Sequence, residues 1–313
     1  MYEPTDQTAL LHELEPTVEA NLNRHLATAK EWFPHEFVPW SEGRDFDGVL
    51  GGEAWAPEHS KLPDVARTSL IVNLLTEDNL PSYHHEIATT FGRDGAWGTW
   101  VHRWTAEEGR HGIAIRDYLL TTRAVDPVAL ERARMQHMAN GFENEHNGLL
   151  ASIAYVSFQE LATRVAHRNT GRISGDPICD QLLAKVAADE NLHMLFYRNL
   201  LNAAFDLVPD AAMRAVTDVV KTFQMPGHGI ENFGRKSVQI AMAGIYDLRI
   251  HHDEVLTPVL RQTRVLERDG LSGDGEKARG ELVEFLAALD AGATRFEEKR
   301  AAAQERAAAR RAA

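Results

Sequence analysis

The sequence contains very little cysteine and no long apolar segment. Cys179 is the one cysteine among 313 residues, so neither an internal disulfide framework nor a cluster of thiolate metal ligands is available. We expect it to be a small buried core residue. No stretch approaches the roughly 20 consecutive apolar residues that a membrane-spanning helix needs. The first residues are acidic and lack the basic and apolar regions of a signal peptide, which predicts a cytoplasmic protein.

Positive charge is also scarce. Asp and Glu outnumber Lys and Arg by 46 to 33, which gives a formal net charge of −13. Nucleic acid is therefore not an expected partner, because a phosphate backbone is bound chiefly by Lys and Arg. Alternating β-branched runs are missing as well, which argues against sheets. The remaining composition, 44% hydrophobic and 25% charged, is that of a globular protein.

Helical periodicity extends through nearly the whole chain. Apolar residues recur at steps of three and four in ten segments, and the loops between them are rich in Gly, Pro and Asp. The segments are 8–31, 64–92, 96–123, 127–140, 149–168, 177–205, 209–222, 235–251, 252–267 and 275–306. In the first, the predicted buried face is Leu11, Leu14, Val18, Leu22 and Leu26.

The domain organisation follows from the same pattern. No linker is long enough to separate two domains, so we expect one domain over residues 1–313, with an all-α fold. Residues 301–313 consist mainly of Ala with single charges. Such a composition predicts an exposed, low-complexity helical tail.

The buried face of segment 96–123 includes two ionisable residues. Its members, at steps of three and four, are Trp97, Trp100, Trp104, Glu108, His111, Ile115 and Tyr118. A carboxylate in such a position is costly unless another group pairs with it. The sequence must therefore supply partners elsewhere.

A second segment repeats the pattern. Val186, Glu190, His193, Tyr197 and Leu200 form one face of segment 177–205, again with Glu and His three residues apart. A third Glu-x-x-His, Glu143 to His146, lies among Gly and Asn in a predicted loop. We interpret that copy as coincidental, because no helical face accompanies it.

Two further glutamates complete a duplicated layout. Glu77 precedes Glu108 by 31 residues, and Glu160 precedes Glu190 by 30. Two matched helix pairs can place four carboxylates and two imidazoles at the centre of a four-helix bundle, the arrangement of di-iron and di-manganese carboxylate proteins. Four carboxylates balance two divalent cations, and ligands of this kind suit Fe or Mn. The predicted ligands are Glu77, Glu108, His111, Glu160, Glu190 and His193.

Three neighbouring residues fit the same hypothesis. Glu107 and Asp189 each precede a ligand glutamate, and each is a candidate to accept a hydrogen bond from a metal-bound histidine. The alternative for both is a carboxylate at the solvent edge of its helix. Pro81 cannot donate a helical hydrogen bond, so we expect the helix to kink or restart one turn after Glu77.

The same residues show a specific family resemblance. TEDNLPSY, RWTAEEGRH, YVSFQELAT and AADENLH resemble the four ligand motifs of the soluble acyl-acyl-carrier-protein desaturases, known best from plant plastids. KEWFPHEFVPW, QMPGHG and GLSGDGEKAR resemble other segments of that family, so the likeness covers most of the chain. Departures are EEGRH and DENLH, where the family usually has EENRH and DEKRH.

The resemblance implies a ferritin-like di-iron bundle with additional flanking helices, usually in a homodimer. It implies oxygen-dependent insertion of a double bond into a fatty acyl chain on acyl carrier protein, with electrons from a ferredoxin-type donor. Thr163 matches a family threonine near the oxygen site; the alternative is a threonine bonded back to its own helix. Glu86 and Thr90 stand where plant members have apolar residues near the acyl channel. An ideal helix would turn Glu86 away from Glu77 and towards solvent.

Other functions remain compatible with these ligands. An iron-storage or iron-oxidising ferritin-like protein uses the same residue types, although such chains are typically shorter. A radical-generating reductase subunit would need a tyrosine beside the metals, for which Tyr197 is the inward candidate. A third alternative is a family member with altered or lost desaturase activity and a binding or regulatory role.

Overall fold

The computed structural model describes residues 6–142, 148–227 and 229–312, and within these ranges it contains helices but no named strand. The all-α prediction is therefore confirmed. The helices are α1 (Gln7–Thr28), α2 (Asp64–Asp78), α3 (Leu80–Phe91), α4 (Gly95–Thr121), α5 (Pro127–Asn140), α6 (Leu149–Ser174), α7 (Pro177–Leu207), α8 (Pro209–Thr222), α9 (Phe233–Met242), α10 (Leu248–Ile250), α11 (Thr257–Gln262) and α12 (Gly273–Ala312). None of these described helices is both long enough and apolar enough to span a bilayer.

Four long helices form a closed bundle at the centre of the fold. α2 packs against α4 and α6, while α7 packs against α6 and α4. α1 packs against α4 and α7 from outside, and α3 packs against α4 and α6. α8 and α12 pack on each other and extend the core beyond α6. The bundle can therefore direct side chains from four helices to one buried point.

Local sequence signals set several helix starts. The Asp126 carboxylate accepts hydrogen bonds from the backbone N–H groups of Val128 and Ala129 at the start of α5. Asp176 does the same for Ile178 at the start of α7. A proline follows each aspartate, in the first turn, where its missing N–H is not needed.

The predicted helix over residues 64–92 is in fact two helices. α2 ends at Asp78 and α3 begins at Leu80, with Pro81 in its first turn. The expected kink or restart after Glu77 is confirmed, because proline is tolerated at the start of a helix but not in its interior. The break lets α3 take its own direction immediately after the Glu77 side chain.

The predicted buried face of α1 is wrong at both ends, because Leu10 is buried where Leu11 was predicted and His25 where Leu26 was predicted. The structure buries His25, which is 4% exposed, and leaves Leu26 47% exposed. The buried positions are Leu10, Leu14, Val18, Leu22 and His25. A step of three from Leu22 to His25 keeps the face pointing at the bundle, whereas a step of four to Leu26 turns away from it.

Two predicted boundaries near the C-terminus also differ. A single helical stretch covers α10, a π-helical turn at His251–Leu256, and α11, where a break between residues 251 and 252 was expected. The last helix continues to Ala312, and residues 304–310 are exposed as the tail prediction required. A π-helical turn contains one more residue than an α-helical turn but does not end the helix, so the apolar periodicity of the sequence does not predict it.

Two glycines of α4 make a matched test of its packing. A Cβ on Gly98 would lie 2.1 Å from the Arg93 carbonyl oxygen, whereas one on Gly109 would meet Leu80 Cδ2 at 3.5 Å. We expect Gly98→Ala to destabilise by about 1–3 kcal/mol through backbone displacement. Gly109→Ala should stabilise by up to about 1 kcal/mol, because alanine loses less backbone entropy in a helix. Urea unfolding at equal metal loading measures both. A Gly98→Ala protein as stable as the wild type would contradict the packing argument.

Candidate metal centre

The structure brings the six predicted ligands together in the middle of the bundle. α2 and α6 each contribute one glutamate, and α4 and α7 each contribute a Glu-x-x-His pair. All six side chains are buried: Glu77, Glu108, His111, Glu160, Glu190 and His193. The duplicated spacing in the sequence therefore corresponds to two helix pairs that face each other.

The six side chains form two overlapping groups. One ligand atom each from Glu77, Glu108, His111 and Glu190 lies within 4.8 Å of the others, and the same holds for Glu108, Glu160, Glu190 and His193. Glu108 and Glu190 belong to both groups. Because a carboxylate has two oxygens, these two residues can bridge a pair of cations while the other four bind one cation each.

Six polar atoms that face this centre have no well-formed hydrogen bond among the described residues and meet chiefly one another, as His193 Nδ1 meets Glu108 Oε1 at 2.8 Å. They are Glu108 Oε1, His111 Nδ1, Glu160 Oε2, both oxygens of Glu190, and His193 Nδ1. Buried polar atoms are rarely left unpaired, since each costs free energy on burial. These atoms converge from α4, α6 and α7, which is the arrangement that a site for divalent cations requires.

The electrostatics of the protein chain alone lead to the same conclusion. Burial, together with the nearby charges of Glu108 and Glu160, raises the pKa of Glu190 well above its ordinary value. The pKa of His111 is raised despite its burial, because Glu108, Asp189 and Glu190 surround it. Without cations the cluster must hold protons instead, and bound metals would remove that cost.

Two ligand glutamates are oriented by buried ring nitrogens. Glu77 Oε1 lies 2.8 Å from His167 Nε2, and Glu160 Oε1 accepts a hydrogen bond from Trp104 Nε1 at 3.0 Å. His167 in turn contacts Asn73 through Nδ1 at 3.2 Å. In each carboxylate one oxygen is held by the protein, and the other is directed to the centre.

Asp189 is buried, so the alternative of a solvent-edge carboxylate is wrong. Its Oδ2 lies 3.2 Å from His111 Nε2 and accepts the Trp32 indole N–H at 2.9 Å, and Arg110 pairs with the same oxygen. Burial opposes ionisation, but the bonds from His111 and Trp32 lower the pKa of Asp189. An ionised Asp189 accepts a hydrogen bond from His111 Nε2–H, which keeps the proton on Nε2 and leaves His111 Nδ1 free to bind a metal.

Glu107 contacts His193 in the same way that Asp189 contacts His111, and it is also buried. Its Oε2 lies 2.9 Å from His193 Nε2 and 2.9 Å from His25 Nε2, and Arg103 pairs with its second oxygen. Burial opposes ionisation here too, yet hydrogen bonds from His193 and His25 hold the pKa of Glu107 well below its usual range.

Some of these partners were missed in the sequence. His25 and Trp32 are 82 and 157 residues away from the carboxylates they contact, and local periodicity contains no signal for such distant pairs. His167 was missed for the same reason, because its contact with Glu77 joins α6 to α2. A predicted buried face of α1 that continued from Leu22 by a step of three would have included His25.

A narrow cavity of about 60 Å³ reaches the centre from one side. Glu77, Glu108 and Thr163 line its inner end. Glu86 and Thr90 also line it, although an ideal continuous helix would have turned Glu86 away. The restart of α3 after Asn79 accounts for this difference.

The Thr163 hydroxyl is hydrogen-bonded within its own helix, at the wall of the cavity. Its hydroxyl donates to the Gln159 backbone carbonyl at 2.8 Å and accepts from the Gln159 side chain at 2.9 Å. It is therefore bonded back to its own helix, and it still lines the cavity beside the metal ligands.

Two other candidates have different surroundings. The Tyr197 hydroxyl is buried and accepts a hydrogen bond from Trp100 Nε1 at 3.0 Å. Glu143 and His146, the copy interpreted as coincidental, lie outside the described residues.

Comparison with known proteins agrees with this site. The family model described as "Fatty acid desaturase" matches residues 6–312. The chain belongs to the fatty acid desaturase family. Family membership confirms the resemblance seen in the four ligand motifs, and it makes the buried Glu and His cluster the expected centre of the fold.

Individual relatives support this assignment. The chain is 54% identical, over 92% of its length and 87% of the relative, to a protein of Mycobacterium tuberculosis named as a candidate acyl-[acyl-carrier-protein] desaturase, DesA1. It is 32% identical to the chloroplastic stearoyl-[acyl-carrier-protein] 9-desaturase of Simmondsia chinensis, over 88% of this chain and 73% of the relative. The crystal structure of DesA2 from Mycobacterium tuberculosis superposes with a TM-score of 0.72 at 30% identity, covering 88% of this chain and 99% of the other. The predicted ferritin-like desaturase fold is thereby confirmed.

Removal of single ligands tests the centre. We expect Glu108→Ala and His193→Ala to fold but to lose most bound iron, because each takes away a ligand that no neighbour can replace. Glu13→Ala, at an exposed position on α1, should keep the wild-type iron content. Elemental analysis with circular dichroism measures metal and fold together. Wild-type iron in both ligand variants would refute the assignment.

Proposed function

We propose that the protein is an oxygen-dependent acyl-acyl-carrier-protein desaturase that acts in fatty acid biosynthesis. Its proposed cofactor is a pair of iron ions held by Glu77, Glu108, His111, Glu160, Glu190 and His193, and Mn is a possible substitute in purified protein. The observation that carries the proposal is the cavity that leads to unpaired, metal-facing atoms at the bundle centre.

The metal, its ligands and the cavity wall would have separate parts in the proposed reaction. Bound iron would supply oxygen activation strong enough to remove two hydrogens from an unactivated methylene pair. Glu108 and Glu190 would hold the two ions together, and Asp189 and Glu107 keep the ligand histidines in the tautomer that binds metal. The cavity wall would hold the acyl chain beside the centre and exclude bulk water from it.

Its substrate and partners follow from the named relatives. The Simmondsia chinensis relative is named for a stearoyl chain on acyl carrier protein, and we propose an acyl chain on the same carrier here. A ferredoxin-type donor would supply the electrons that oxygen reduction needs. By the same relationship we propose a homodimer.

Product analysis tests the activity. Purified protein would be loaded with iron and supplied with oxygen, a ferredoxin-type reducing system and saturated acyl carriers of several chain lengths. We expect a product two hydrogens lighter for at least one length. Iron uptake into a mineral core without any unsaturated product would instead support the storage alternative.

Thr163→Val tests the threonine at the inner end of the cavity. Valine keeps the shape and removes the hydroxyl, so iron should stay bound because Thr163 is not a ligand. We expect desaturation to fall, or peroxide release to rise, by about tenfold if the hydroxyl serves oxygen chemistry. Turnover and coupling equal to the wild type would leave Thr163 as a helix-bonded residue only.

Glu86 and Thr90 test the substrate channel. Each buried methylene of an acyl chain gains about 0.8 kcal/mol in apolar contact, and a carboxylate in the wall removes part of that gain. We expect Glu86→Met with Thr90→Leu to shift preference towards longer saturated chains. Rates over a series of chain lengths measure the effect. Identical profiles would exclude both residues from selectivity.

A further inference from the structure

The two halves of the centre have matching outer contacts made by different ring types. In each half, an outer carboxylate accepts from one ligand histidine, pairs with one arginine and accepts one more ring N–H. For Asp189 the extra donor is the Trp32 indole, and for Glu107 it is His25, each at 2.9 Å. Both donors come from α1 or the segment that follows it, and neither is part of the duplicated helix pairs.

The ring packing follows the same symmetry. The His25 and His193 rings are stacked with centroids 5.8 Å apart, and the Trp32 and His111 rings are stacked at 6.4 Å. Each outer ring therefore touches the imidazole whose orientation its carboxylate controls. α1 reaches one half of the centre, and the segment after it reaches the other.

His25 makes only one hydrogen bond among the described residues. Its Nε2 contacts Glu107, and its Nδ1 is buried without a partner. The ring also lies edge-on to Trp100, with centroids 5.1 Å apart, and a polar ring in such a buried position costs more to bury than leucine would. Packing therefore does not account for the histidine, whereas the bond to Glu107 does.

From these contacts we infer that His25 is a positioning residue that fixes the His193 imidazole through Glu107, and so controls how tightly one of the two metal ions is held. Glu107 Oε2 is shared between the two N–H donors, both at 2.9 Å, and this fixes its place. Without His25 the carboxylate is free to swing towards Arg103, and the donor bond that orients His193 weakens.

The inference rests on the proposed ligands but not on desaturase activity, so metal release is its readout. Iron-loaded full-length protein would be challenged with a ferrous-iron chelator, and release of each ion would be followed in time. Loss of an outer hydrogen bond to a metal-bound histidine typically weakens metal affinity 10–100-fold. We expect His25→Leu to release one iron per chain about 10–100-fold faster and the second at the wild-type rate.

Three variants separate positioning from packing. His25→Gln retains an N–H that can reach Glu107 and should restore slow release. Leu22→Ala removes core volume one turn away on the same helix and should lower the unfolding midpoint with normal iron release. Trp32→Phe, the corresponding change in the other half of the centre, should speed the release of one iron. Its combination with His25→Leu should speed the release of both. His25→Asn, too short to reach Glu107, replaces His25→Leu if the latter does not fold.

Several outcomes would overturn the inference. Wild-type release from a folded His25→Leu protein would show that the bond has no role in holding metal. Equal loosening of both ions, or the same release from Leu22→Ala, would show a general packing effect. A wild-type protein that binds no iron at all would refute the proposed centre itself, and the positioning role with it.

Discussion

The burial of four carboxylates at one point is the constraint on which the rest of the structure depends. Negative charges at such short separations repel strongly in a medium that screens poorly. The protein balances them with two imidazoles, and Glu190 shows the remaining imbalance through its raised pKa. Divalent cations would complete the balance, so the bundle is arranged around an electrostatic requirement as well as an apolar core.

The segments around the bundle supply ring N–H donors to the outer carboxylates. Every ligand histidine needs an acceptor on its far nitrogen, and every outer carboxylate needs donors of its own to stay ionised when buried. α4 and α7 provide the acceptors from their own sequence, next to the ligand glutamates. The donors come from α1, from Trp32 after it, and from arginines at the edge of the bundle. The added N-terminal segment is therefore part of the metal centre.

The cavity depends on a local break in the chain. If α2 had continued straight past Glu77, the next residues would have packed against the bundle and closed the centre. Pro81 makes the continuation unfavourable, so α3 starts afresh and brings Glu86 and Thr90 to the cavity wall. One proline thus connects the ligand helix to the surface that would contact an acyl chain. The polar residues on that wall distinguish this channel from a purely hydrocarbon one.

The sequence by itself determined the helical fold, the six candidate ligands and their two acceptors, Glu107 and Asp189. It could do so because helical periodicity and a repeated spacing appear in the order of the residues alone, without any tertiary contact. Only the tertiary structure decided that Glu107 and Asp189 are buried, that His25 and Trp32 support them, and that Glu86 faces the cavity. These facts depend on contacts between residues far apart in the chain and on the direction that α3 takes after its restart. Small rotations of a helix decide such contacts, as the exchange of His25 for Leu26 on the buried face of α1 shows.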